Sequence, residues 1–165
     1  MKTILKKFIP QAKHWVGDGF HVYNMFAAHS GDPALTSPFL LLDYAEPTVF
    51  EPTEMKRGVG EHPHRGFETV TFALKGEVDH RDSAGGGGTI AEGDVQWMTA
   101  GAGIVHEEFH SKSFSEMGGE FSMIQLWVNL PAAQKQTPPK YQALKAGEFP
   151  YLQLTKGVGM KIFSG

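Results

Sequence analysis

His62-Pro63-His64-Arg65-Gly66-Phe67-Glu68-Thr69-Val70-Thr71-Phe72-Ala73-Leu74-Lys75-Gly76 is the stretch from which the rest of the chain can be read. Its second part, Phe67 to Lys75, is rich in Thr, Val and Phe and is stopped by Gly76, which is the composition of a sheet strand with a turn after it. Its first part sets two imidazoles two residues apart. On an extended chain residues i and i+2 face the same side, so His62 and His64 can converge on one point.

The same rhythm continues downstream. Glu77 to Asp82 alternates as a short strand, Ser83 to Gly88 is a Gly-rich turn, and Thr89-Ile90 runs into the turn Glu92-Gly93-Asp94. Val95 to Met98, Ile104 to Phe109 and the long apolar run Phe121 to Leu130 follow, the last stopped by Pro131. Upstream, Trp15-Val16, Phe20 to Phe26 and Phe39 to Tyr44 read as strands, and residues 51–60 as a loop leading to the His pair. Strands recurring at roughly eight- to twelve-residue spacing, with no amphipathic helix between them, predict an all-β barrel or sandwich. Its core is expected from Val70, Phe72, Leu74, Val95, Ile104 and the Phe121–Leu130 strand.

The organisation expected is one metal-binding barrel over residues 1–131, then a Pro-rich connector and hairpin over residues 132–165. The hairpin, Tyr151–Leu154 with Met160–Phe163, reads as the start of a second barrel. An uncovered edge carrying Ile162 and Phe163 would seek another chain, so a homodimer is expected.

Composition narrows the chemistry. The 165 residues are 41% hydrophobic and 20% charged with a net charge of −3, which suits one globular domain and gives no basic surface for direct nucleic-acid binding. There is no cysteine, so any metal must be held by His, Asp or Glu. The N-terminal apolar run is too short for a signal peptide, and no run approaches a membrane span, so a cytoplasmic protein without membrane contact is expected.

His106-Glu107-Glu108 repeats the device of His62-Pro63-His64: His106 and Glu108 share a face while Glu107 points away. Two such pairs on neighbouring strands would offer four ligands, His62, His64, His106 and Glu108, to one divalent ion. Three imidazoles and a carboxylate with positions left open suit iron(II), manganese, nickel or copper. The Ser83–Gly88 turn lacks the helix start and Lys-Ser/Thr of a phosphate loop and reads as a hairpin turn. His14, His21, His29, His80 and His110 lack comparable partners and are expected at solvent-facing or strand-edge positions.

His62-Pro-His-Arg-Gly-Phe-Glu-Thr-Val-Thr71, Gly93-Asp-Val-Gln-Trp-Met-Thr-Ala-Gly101 running on through Gly103-Ile-Val-His106, Gln125-Leu-Trp-Val-Asn-Leu-Pro131 and Thr137-Pro-Pro-Lys-Tyr141 together resemble the signature of the pirin family of cupins. The resemblance spans roughly Phe39 to Tyr141 and implies a cupin barrel. Pirins are two-barrel proteins whose N-terminal barrel binds iron through three His and one Glu, matching His62, His64, His106 and Glu108. In many cupins a carboxylate at the position of Glu68 is a ligand; the pirin pattern gives that role to Glu108 and leaves Glu68 to support the site or its turn. Several members oxidise quercetin by 2,3-dioxygenation, which implies a flavonol-like substrate, dioxygen and iron(II). Of the four ligands only Glu108 can serve as base for the substrate's acidic hydroxyl, so it is the expected catalytic residue. A eukaryotic member is a redox-sensitive transcription cofactor, which implies the alternative of a regulatory protein partner and no turnover. This sequence departs from the family in lacking the second barrel beyond its first hairpin.

Overall fold

The computed structural model describes residues 3–10, 12–29 and 32–164. Its strands, in order, are β1 Lys13–Val16, β2 Phe20–Ala27, β3 Phe39–Phe50, β4 Gly58–His64, β5 Phe67–Lys75, β6 Val78–Asp82, β7 Gly87–Ile90, β8 Val95–Thr99, β9 Ile104–His110, β10 Gly119–Asn129, β11 Lys140–Leu144, β12 Tyr151–Thr155 and β13 Val158–Lys161. Two short helices, α1 Pro33–Thr36 and α2 Lys112–Met117, complete the described elements together with two 3₁₀ turns.

The strands form a seven-stranded sheet in the order β1-β2-β3-β10-β5-β8-β11, a four-stranded sheet β4-β9-β6-β7, and the separate hairpin β12-β13. All pairings are antiparallel. From β3 to β10 the chain alternates between the two main sheets: β4 in the small one, β5 in the large, β6 and β7 small, β8 large, β9 small, β10 large. That winding makes each sheet the lid of the other and produces the cupin barrel expected from the strand rhythm.

Register shows what fills the barrel. Across the large sheet Ala45, Met123 and Ala73 pair side by side; the next row inward is Asp43, Gln125, Thr71 and Gln96; the next is Leu41, Trp127, Thr69, Met98 and Tyr141. Directly paired residues share a face. A polar row therefore lies between two apolar ones. On one side is the main core, where Phe20, Val22, Phe50, Val78, Ile90, Phe114 and Phe121 join Ala45, Ala73 and Met123. On the other, Met98, Ala100 and Ile104 pack with Tyr141.

Two expectations are corrected here. Because Thr69, Thr71 and Ala73 face inward, Val70, Phe72 and Leu74 face the other side of the sheet. Val70 is buried there as expected, at 1% exposure, whereas Phe72 rests on Phe163 with ring centres 5.0 Å apart and Leu74 is exposed. The interior is kept for Thr and Gln because it holds a polar centre. The segment read as an extended connector also contributes β11, which pairs along β8 from Lys140↔Thr99 to Leu144↔Val95. Lys140 to Leu144 contain no proline, so nothing prevents their ladder bonds. Lys145 and the Ala146 N–H then bind the Asp94 carboxylate at 2.8 Å each and fasten the end of β11 to the turn before β8.

The hairpin β12-β13 forms as expected, but Phe163 is not on an open edge. It folds back between Phe72 and Phe149, leaving Tyr151, Leu152, Leu154, Val158 and Met160 as the exposed apolar side chains. No helix among the described residues is long and apolar enough to cross a membrane.

Candidate metal centre

β9 runs between β4 and β6, and register sets the site. His62 pairs with His106 on one side, and Asp82 pairs with His106 on the other; His80 pairs with Glu108. A shift of register between Val59 and His62 turns the end of β4 so that both its histidines reach the cluster. Gly58 makes the approach possible, since a Cβ there would stand 2.1 Å from the Glu108 carbonyl oxygen.

The imidazoles of His62, His64 and His106 gather with ring centres 4.3 Å apart for His62 and His106 and 4.8 Å for the other two pairs. Their ligand atoms form one group within 4.8 Å of one another. Glu108 belongs to a second such group with His80 and His106, so His106 is common to both. The structure thus brings the three predicted histidines together and groups the predicted carboxylate with His106 and with His80, which the sequence expectation placed near solvent.

Protonation favours a cation. Burial, with His62 close by, pushes His64 down to about 4; burial, with the three neighbouring histidines, pushes His106 down to about 2. Both rings are neutral at pH 7 and offer lone pairs. The His62 Nδ1 lies 2.8 Å from the Gly60 carbonyl oxygen. A carbonyl only accepts, so His62 donates from Nδ1, and Nε2 is the nitrogen turned free of that bond. His106 Nε2 is buried and has no hydrogen-bond partner, an orphan that a coordinated ion would satisfy. The donor set therefore fits a borderline divalent metal.

Glu108 is 5% exposed and held from both oxygens: the Gln96 amide donates to Oε1 and the Gln125 amide to Oε2, the latter at 3.2 Å. Gln96 cannot easily turn round, because its Nε2 also donates to Thr71 and its Oε1 accepts from the Tyr141 hydroxyl at 3.4 Å. Burial first, and the carboxylates of Glu108, Asp82 and Asp79 after it, push the Tyr141 phenol well above its ordinary value, so it stays a donor. Beside His64 stand Trp127 and Phe67, with ring centres 5.1 Å from it.

Glu68 points the other way, to the outer face of the large sheet, where Thr99 donates to its carboxylate at 2.6 Å. Two of the histidines expected near solvent are in fact interior: His80 and His110 are 4% and 3% exposed. His14 and His29 are exposed, and His21 stacks on Trp15. His80 carried a readable signal, since His80-Arg81-Asp82 is a third i, i+2 pair on the strand next to β9. Gln96, Gln125 and Tyr141 lie in the quoted motifs, but nothing in those motifs marks them as partners of the site.

Clefts of 440 and 370 Å³ open beside the cluster, the first lined by His64, Arg65 and Ile104, the second by Glu61, Asp82 and His106. The larger concavity of 770 Å³, against β6, β7, β9 and residues 53–56, meets His80 but none of the four candidate ligands. Volume alone would point away from the chemistry, and the converging donors decide the site.

The family model described as Pirin matches residues 19–128. A Pseudomonas aeruginosa protein named "Putative quercetin 2,3-dioxygenase PA2418" is 51% identical over 166 residues, covering 100% of this chain and 58% of that protein. A solved structure described as quercetin 2,3-dioxygenase from Acinetobacter baumannii superposes with a TM-score of 0.91 at 56% identity, over 98% of this chain and 58% of the other. The bacterial pirin YhhW of Escherichia coli, solved in complex with nickel(II), superposes with a TM-score of 0.58 at 26% identity, over 80% of this chain and 53% of the other. The chain spans little more than half the length of these relatives. This chain belongs to the pirin family.

Proposed function

We propose that the chain holds one divalent metal, iron(II) in the first place, through His62, His64, His106 and Glu108, and that it is a dioxygenase opening flavonols such as quercetin by 2,3-dioxygenation. The observation that carries the reading is the buried, unpartnered Nε2 of His106 beside two further imidazoles. A bound metal with open positions supplies a meeting place for a substrate oxygen and dioxygen. The chain's own part is to place the substrate and move its proton. Glu108 accepts the proton of the flavonol hydroxyl, and the Gln96 and Gln125 amides hold its carboxylate in one plane while it does so. Trp127 and Phe67 give the flat substrate an aromatic wall next to His64. Relatives named for quercetin dioxygenation support the substrate class, and the nickel complex of YhhW keeps nickel as the alternative ion.

The test is oxygen uptake with quercetin by metal-loaded protein beside a His106→Ala variant. Uptake by the wild type that the variant lacks is expected; equal uptake by both overturns the reading. A metal-loaded wild type that consumes no oxygen, yet binds a protein partner differently in its two oxidation states, would assign the chain to redox-sensitive interaction modules instead.

A further inference from the structure

We infer that Asp82 and His80 are positioning residues that fix His106 in the tautomer with a bare Nε2, making Asp82–His80–His106 a single hydrogen-bonded relay of orientation behind the metal centre. The inference rests on the reading of His106 as a ligand. It concerns atoms that the ligand set leaves out.

The geometry is a chain of three contacts. Asp82 is fixed first: its Oδ1 accepts from the Ala84 N–H at 2.8 Å and the Gly86 N–H at 2.9 Å. Its Oδ2 is then turned to His80 Nε2, 3.0 Å away, and both side chains are fully shielded from solvent. The His80 ring is clamped flat against Tyr141, with centres 4.4 Å apart and planes 8° from parallel. Its other nitrogen, Nδ1, lies 3.3 Å from Nδ1 of His106.

Donors and acceptors now assign themselves. The Asp82 carboxylate only accepts, so His80 carries its proton on Nε2 and presents a bare Nδ1. That bare Nδ1 can only accept, so His106 carries its proton on Nδ1. The lone pair of His106 is thereby placed on Nε2, the buried atom without a partner. The reverse assignment sets two lone pairs against each other between Asp82 and His80 and leaves a buried N–H of His106 unsatisfied. A ligating imidazole whose second nitrogen donates to an anchored partner is both oriented and made more basic.

The turn that read as an ordinary Gly-rich hairpin is the foundation of this chain. A Cβ on Gly86 would stand 2.4 Å from Asp82 Oδ2 and 2.6 Å from the Tyr141 Cβ, so any side chain there displaces the carboxylate and the ring that clamps His80.

Asp82→Asn is the discriminating change. Because the Ala84 and Gly86 N–H groups keep the side-chain oxygen on their side, the new NH₂ faces His80 Nε2 and donates to it. His80 must then donate from Nδ1, and the proton of His106 is driven to Nε2, with no ligand removed. The measurement is the long-range ¹H–¹⁵N correlation of the imidazoles in metal-free protein at pH 7, joined to nickel(II) titration. Wild type is expected with the His106 proton on Nδ1; Asp82→Asn is expected with it on Nε2 and with nickel affinity lower by roughly 10- to 100-fold. A wild-type His106 protonated on Nε2, or an Asp82→Asn variant with unchanged tautomer and nickel affinity, overturns the inference. If Asp82→Asn does not fold, the wild-type tautomer alone decides. Wild type with the Nδ1 proton but no nickel binding upholds the hydrogen-bonded Asp82–His80–His106 chain and overturns the metal reading, and with it the role of that chain in orienting a ligand.

Discussion

His106 and His110 stand four residues apart on β9, on the same inward face, and are 1% and 3% exposed. Burial pushes both rings below their ordinary value, His110 to about 4 despite its bond to the Gly19 carbonyl oxygen. What separates them is the company each keeps. His110 donates from Nε2 to that carbonyl at 2.9 Å, stacks on Phe121 and meets Phe20, Phe50 and Phe114 edge-on. It has become a core aromatic with one polar handle. His106 has imidazoles on both sides, a glutamate two residues along the strand, and a nitrogen left without a partner. The strand supplies inward-facing histidines to both ends of the barrel; the neighbouring strands decide which of them is packing and which is chemistry.

Exchanging the two residues for alanine should break the comparison cleanly. His106→Ala removes the shared member of both ligand groups and is expected to lower nickel(II) affinity by more than the roughly 100-fold that loss of an outer partner costs. Cooperative unfolding of the metal-free form should remain, because the main core does not include His106. His110→Ala should do the reverse. It opens a cavity among four phenylalanines and strands the Gly19 carbonyl, so about 2–4 kcal/mol of stability is expected to go while nickel affinity of the folded fraction stays as it was. Denaturant unfolding and calorimetric titration of both variants give the four numbers. A His110→Ala protein of wild-type stability would show that the two ends are not distinct.

A smaller effect sharpens the polar side. Gln125→Leu removes one of the two amides on Glu108 and leaves the other in place. Roughly a tenfold loss of metal affinity is expected, the low end for an outer partner, measured by the same titration. No change would mean that Glu108 stands outside the metal's coordination.

Much of this was legible in the residues and some was not. Period-two spacing exposed His62 with His64 and His106 with Glu108, because a strand turns i and i+2 to one side whatever surrounds it. The same rule applied to His80-Arg81-Asp82, a His–carboxylate pair like His106 and Glu108, and only register against β9 shows that it points to the same centre. Register also decides the core. Thr and Val alternate along β5, and nothing local says that the Thr face is the inner one; Gln96 and Gln125, which require that face to be polar, lie on strands β8 and β10 on either side. β11 was hidden for a third reason. Five residues after a Pro pair have little strand character of their own, and their order comes from the free edge of β8 and from Asp94 holding Lys145.

The smallest expected effect concerns the lid over the aromatic end and has a definite sign with pH. Ser111 caps α2 by accepting from the Phe114 N–H at 3.0 Å, and both Ser111 and Ser113 donate to the Glu77 carboxylate. This holds Phe114 against His110. The bond from Ser111, then that from Ser113, lowers the pKa of Glu77 below its ordinary value. A carboxylate depressed in the folded state contributes stability that is complete above its unfolded pKa and is lost as pH falls through the folded one. Glu77→Gln keeps the shape and removes the charge, so it should cost at most about 1 kcal/mol near pH 7, in keeping with a partly exposed group. The gap between wild type and variant should close as pH falls below the ordinary carboxylate range, where wild-type Glu77 becomes a neutral acid as well. Urea unfolding of both proteins between pH 7 and pH 3 reads this directly. Nickel affinity at pH 7 should be equal in the two, since the lid touches His110 and not His106. A gap that widens on acidification would mean that the serines favour the protonated acid and that the cap works by some other bond.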